Sequence, residues 1–69
     1  MISDERLFEI IASAEKRFGK PFTTAKEVAN EVGMERQSVH RRLQRLKEEN
    51  KEVQKYKPGR AAVWWVEDA

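Results

Sequence analysis

The stretch Thr24–Leu46, TAKEVANEVGMERQSVHRRLQRL, constrains this chain more than any other part of it. Two short amphipathic patterns follow each other with only the VGME break between them. In the first, Thr24 and Glu27 have capping-box spacing, so the hydroxyl and the carboxylate can each satisfy an orphan backbone N–H. Val28, Ala29 and Val32 supply its apolar face, and Gly33 is placed to end it with positive φ. In the second, Val39, Leu43 and Leu46 recur at i, i+4 and i+7, which is one buried stripe of a helix. The spacing predicts helices over about 25–32 and about 36–49, with Asn50, a residue that tolerates the left-handed conformation, as the stop.

The flanks are simpler. Ser3 is a candidate N-cap, with Asp4 and Glu5 in the first turn where the helix dipole favours acids. Leu7, Ile11, Ala14 and Phe18 then form an amphipathic stripe that Gly19 and Pro21 terminate, so a first helix is expected over about 4–18. KPFTT is extended and long enough only for a small edge strand. VQKYKPGRAAVWWV has two strand-like runs around Pro58-Gly59, a type II turn signal in which Gly59 would take φ > 0. A hairpin follows, with strands at about 53–57 and 60–66. The expected fold is mainly α with a small β-hairpin, in the order helix, small strand, helix, helix, hairpin, as one domain over all 69 residues.

Charge narrows the function. The net charge of +2 and pI near 9.2 conceal an asymmetry. Residues 1–34 hold five Lys/Arg and six Asp/Glu, residues 35–60 hold nine and four, and residues 61–69 hold none and two. The positive charge therefore follows the VGME break, a bias that speaks to partners. There is no Cys, which excludes a disulfide framework and a thiolate zinc site. His40 is the single His, so no metal set and no nucleophile–base pair can be assembled around it. We expect no catalytic residue, no metal and no cofactor. No apolar run approaches membrane-spanning length, and the acidic MISDERLF opening is unlike a signal peptide. The expected setting is cytoplasmic, with no membrane partner.

At 100° per residue, Gln37, Arg41 and Gln44 lie opposite the Val39–Leu43–Leu46 stripe, flanked by Ser38, His40 and Arg45. Arg and Gln are the side chains that read base edges, Arg bidentately to guanine and Gln to adenine. Arg36, in the first turn, and Arg42, at the margin of the stripe, are better placed for phosphates. No acidic residue lies between Arg36 and Lys47, whereas a plain solvated face usually mixes Glu with Lys.

Three segments together resemble the winged helix-turn-helix family of DNA-binding domains. TAKEVANEVG is similar to the family's capped second helix and turn glycine, MERQSVHRRLQRL to its recognition helix, and GRAAVWWV to the returning strand of the wing. The resemblance covers nearly the whole chain. Glu35 stands where the family often has Ser, Thr or Asp, and Asn50-Lys51 where it often has Gly and an apolar residue.

The resemblance implies a three-helix domain whose 36–49 helix enters the major groove of double-stranded DNA. It implies a wing tip, with Lys57 and Arg60, on the backbone or an adjacent minor groove. It also places Trp64 rather than Trp65 in the core. A nucleoid-associated transcriptional regulator is expected, monomeric or a weak homodimer on DNA, since no extra helix offers a dimer interface. The competing expectation is a protein-interaction module anchored on an exposed Trp. A structure-selective DNA or RNA binder ranks below both.

Overall fold

The computed structural model describes residues 2–67. The elements are α1 (Asp4–Ala12), α2 (Ala14–Phe18), β1 (Thr23–Thr24), α3 (Ala25–Val32), α4 (Arg36–Glu49), β2 (Val53–Tyr56) and β3 (Val63–Val66).

The N-terminal helix starts as its sequence directs. Ser3 is extended and its side chain accepts from the Arg6 N–H. The expected single helix over 4–18 is divided at Ser13, whose φ of −104° and ψ of 25° leave the helical basin. Ser13 Oγ donates to the Glu9 carbonyl at 2.7 Å, beside the Ser13 backbone N–H on the same oxygen, and such back-bonding by serine bends helices. Arg17 spans the break, its Nε donating to Ser13 Oγ at 2.8 Å and its Nη1 to Glu31 on α3 at 3.0 Å. Gly19 ends α2 at φ 74°.

Thr24 and Glu27 form the full capping box at the start of α3. Gly33 closes that helix at φ 70° with its N–H on the Ala29 carbonyl. A Cβ there would meet no neighbour within 4 Å, so glycine is needed for its backbone and not for space. Helix α4 begins at Arg36 without a side-chain cap. It stops at Asn50, but not by the left-handed route: Asn50 is extended, with φ −130° and ψ 116°. Its backbone N–H and its side-chain Nδ2 both donate to the Leu46 carbonyl, so that carbonyl is satisfied without positive φ.

The strands form one antiparallel sheet in the order β1-β3-β2. Thr23 lies opposite Trp64, and Val53, Lys55 and Tyr56 lie opposite Val66, Trp64 and Val63. The small strand after α2 is thus an edge, as its length suggested, and β3 is central. The turn between β2 and β3 corrects the sequence reading. Six residues, 57–62, separate Tyr56 from Val63, and Gly59 is not among the positive-φ glycines. A wider loop replaces the expected tight type II turn.

The core joins every layer. Leu7, Ile10 and Ile11 of α1, Val28 and Ala29 of α3, and Val39, Leu43 and Leu46 of α4 pack with Val53 and Trp64 of the sheet. Trp64 is fully buried, and its neighbour Trp65 is only half-buried, because adjacent strand residues face opposite ways. That packing fixes α4 against the sheet and sets the distance from its outer face to the 57–62 loop.

Candidate nucleic-acid interface

The outward side of α4 follows from its buried stripe. With Val39, Leu43 and Leu46 inside, Gln37, Arg41, Gln44 and Arg45 are exposed, and Ser38 and His40 are half-buried. The first two turns of α4 form one wall of an open cleft of about 830 Å³. The β2–β3 loop forms the opposite wall, and the start of α3 with Trp64 completes it. Arg36, Gln37, His40 and Arg41 line the helix side, and Lys57 and Arg60 line the loop side. The structure therefore brings together six of the residues singled out from sequence. Ala61 and Ala62 also line the cleft, and their small side chains leave it open.

One cation there was not anticipated. Lys26, with Thr24 and Ala25, lines the cleft from the first turn of α3. The signal was present in the capping box, which fixes where α3 starts and so puts Lys26 on its exposed first turn. Among the described residues, five Lys and Arg side chains, Lys26 included, line the cleft together with His40, and no acidic side chain does. Unopposed positive charge in a concave surface attracts polyanions.

His40 shows the effect of that field. Its ring meets Trp64 edge-on, with centroids 5.8 Å apart. Burial, and then the charges of Lys55, Lys57 and Arg36, push its pKa below the ordinary 6.5. It is therefore a neutral imidazole at neutral pH, with one nitrogen donor and one acceptor.

Four other candidates lie outside the cleft. Arg42, expected on phosphates, turns inward. Its Nη2 donates to Asp4 Oδ1 at 2.7 Å and its Nη1 to the Ile2 carbonyl, and its side chain is 16% exposed. The helical wheel put Arg42 at the margin of the stripe, and the first turn of α1 claims that margin. Arg45 stays exposed, with its guanidinium 3.5 Å from Asp4 and 4.0 Å from Glu49. Gln44 is exposed but engaged, its Oε1 accepting from Lys55 Nζ on β2 at 2.8 Å. Ser38 is half-buried at the edge of the helix face.

Comparison with protein-family models matches residues 3–51 to a winged helix-turn-helix DNA-binding domain. No curated protein and no solved structure gives a significant match. The matched segment ends before β2, so the hairpin that completes the cleft is seen in the structure and lies beyond the family match. The match spans most of the chain, and the helices, the glycine turn and the three-stranded sheet agree with it: this protein belongs to the winged helix-turn-helix DNA-binding family.

Proposed function

We propose that the protein is a transcriptional regulator that inserts α4 into the major groove of double-stranded DNA. The 57–62 loop then follows the backbone or the adjacent minor groove. The observation that carries this reading is the cleft between α4 and the loop, lined by Lys26, Arg36, Arg41, Lys57 and Arg60 with no acid from the described residues. A phosphate backbone is the polyanion that such a row fits, and the exposed Gln37 and Arg41 beside it carry the chemistry for base edges. The reading is of a binding module without a catalytic step, working in the cytoplasm on the nucleoid, as a monomer or as a weak dimer formed on DNA.

The test is fluorescence anisotropy of a labelled random-sequence duplex over a range of salt concentrations. At ~0.9 per neutralised phosphate, the four lining cations other than the base-reading Arg41 give an expected slope of log K against log salt of roughly −3 to −4. No binding at low salt, or binding that ignores salt, would overturn the reading and favour a protein partner instead.

A further inference from the structure

We propose that Lys55 is a positioning residue that sets the base preference of Gln44, so that Gln44 reads guanine and not adenine. The inference rests on the DNA reading above and goes beyond it to one position of the target site.

Gln44 sits on the exposed side of α4, one turn beyond His40. Left to itself, a glutamine amide can turn either way and suits adenine, whose major-groove edge presents one acceptor and one donor. Here the amide is not left to itself, because its Oε1 accepts a hydrogen bond from Lys55 Nζ at 2.8 Å. An ammonium has three donors and no acceptor, so it can bond only to the oxygen of the amide. The contact therefore fixes the sense of the side chain and leaves the Nε2 hydrogens for a ligand.

Lys55 is itself held. It lies opposite Trp64 in the β2–β3 register, and its ammonium stands 5.2 Å from the centroid of the Trp64 ring. Trp64 is fully buried, so the platform beneath the ammonium is part of the core. Strand alternation explains the placement. Val53 points into the core, Lys55 is the next residue on that face, and β2 packs against α4. The charge is consequently delivered to Gln44 by the sheet and not by a freely swinging surface lysine.

The consequence is a reader biased towards donating, next to a fixed cation. Guanine offers two acceptors in the major groove, O6 and N7, to which the Nε2 hydrogens can donate. Adenine would have to direct its N6 donor at the second lone pair of an oxygen that already accepts from an ammonium, where like partial charges repel and acceptor strength is reduced. The sequence rule that pairs glutamine with adenine is reversed by a strand residue eleven positions away.

The experiment selects sites from a duplex with a randomised central window, using the full chain, and then measures affinity for single duplexes that differ at one base pair. The Gln44→Ala variant identifies the position that Gln44 reads, as the one where base preference disappears. The parent should prefer guanine there by about tenfold over adenine. Lys55→Met, which keeps the aliphatic stem, should lose that preference or shift it to adenine, and Lys55→Arg, which keeps a cationic donor, should retain it. Circular dichroism on each variant confirms folding, and the base preference is a readout that loss of packing alone would not redirect. A parent that prefers adenine at that position overturns the proposal. So does a Lys55→Met variant with unchanged guanine preference, or a Gln44→Ala variant that changes preference nowhere. A parent that binds no duplex at low salt overturns the DNA reading itself, which separates the two failures.

Discussion

Arg42 on α4 donates to the carboxylate of Asp4 on α1 at 2.7 Å, across thirty-eight residues of sequence. The same guanidinium also bonds the Ile2 carbonyl, so one side chain fastens the N-terminal segment to the proposed recognition helix. The hydrogen bond from Arg42 holds the Asp4 carboxyl below its ordinary value of 3.8, with the charge of Arg45 adding to it and burial opposing it.

That relationship predicts an acid-dependent stability difference. The folded-state pKa of Asp4 is depressed, so its contribution is fully present above the ordinary 3.8 and is lost as pH falls through the lower folded value. Asp4→Asn should melt at a lower temperature than the parent at neutral pH, and the gap should close in strong acid. Thermal melts across that range check it. A gap that is constant with pH would show that the carboxylate charge is not what Arg42 uses.

Arg36 and Arg41 both line the cleft, but they should fail differently. Arg41→Ala removes a candidate bidentate base contact, costing about 1–3 kcal/mol on the preferred site and relaxing preference at one position. Arg36→Ala should weaken all duplexes alike and reduce the salt slope by about one. Equal losses on specific and random duplexes in both variants would take Arg41 out of base recognition.

Arg60 and Trp64 separate binding from folding. Arg60 is exposed on the loop, so Arg60→Ala should change stability by less than about 0.5 kcal/mol, and the salt slope should become shallower by about one. Trp64 is fully buried against all three core helices' cluster, and Trp64→Ala should cost about 3–5 kcal/mol, enough to unfold so small a domain. Melting and salt titration of the two variants give the contrast. A folded Trp64→Ala protein, or an Arg60→Ala protein that binds like the parent, would contradict it.

His40 should make stability depend on pH near neutrality. Burial and then Lys55, Lys57 and Arg36 lower its folded-state pKa from 6.5, so the unfolded chain takes up a proton first as the solution is acidified. The parent should therefore lose stability relative to His40→Gln as pH falls below 6.5 and through the folded pKa, with no relative change above it. Bound phosphates would oppose the lysine and arginine charges, so DNA should reduce this sensitivity. Melts of both proteins on either side of that pH, with and without duplex, test both statements.

By itself the sequence determined what depends on neighbours a few residues apart. The capping box of Thr24 and Glu27, the positive φ of Gly33 and the Val39–Leu43–Leu46 stripe are local facts of backbone geometry and helical period. Once that stripe is buried, the exposure of Gln37, Arg41 and Gln44 follows. Local rules failed where two conformations lie close in energy. Ser13 breaks the first helix with a hydroxyl bond to Glu9, Asn50 ends α4 in extended geometry, and Pro58-Gly59 sits in a six-residue loop.

Only the tertiary structure decided which cations are free and which are bound. Arg42 and Arg41 are adjacent and chemically identical, yet packing of α1 on α4 gives Arg42 to Asp4 and leaves Arg41 in the cleft. Lys26 joins the cleft, and Lys55 reaches Gln44, because the core holds α3 and the sheet against α4. Helical period reports the direction of a side chain from its own axis. The partner that waits there comes from residues distant in sequence, and long-range packing alone puts it in reach.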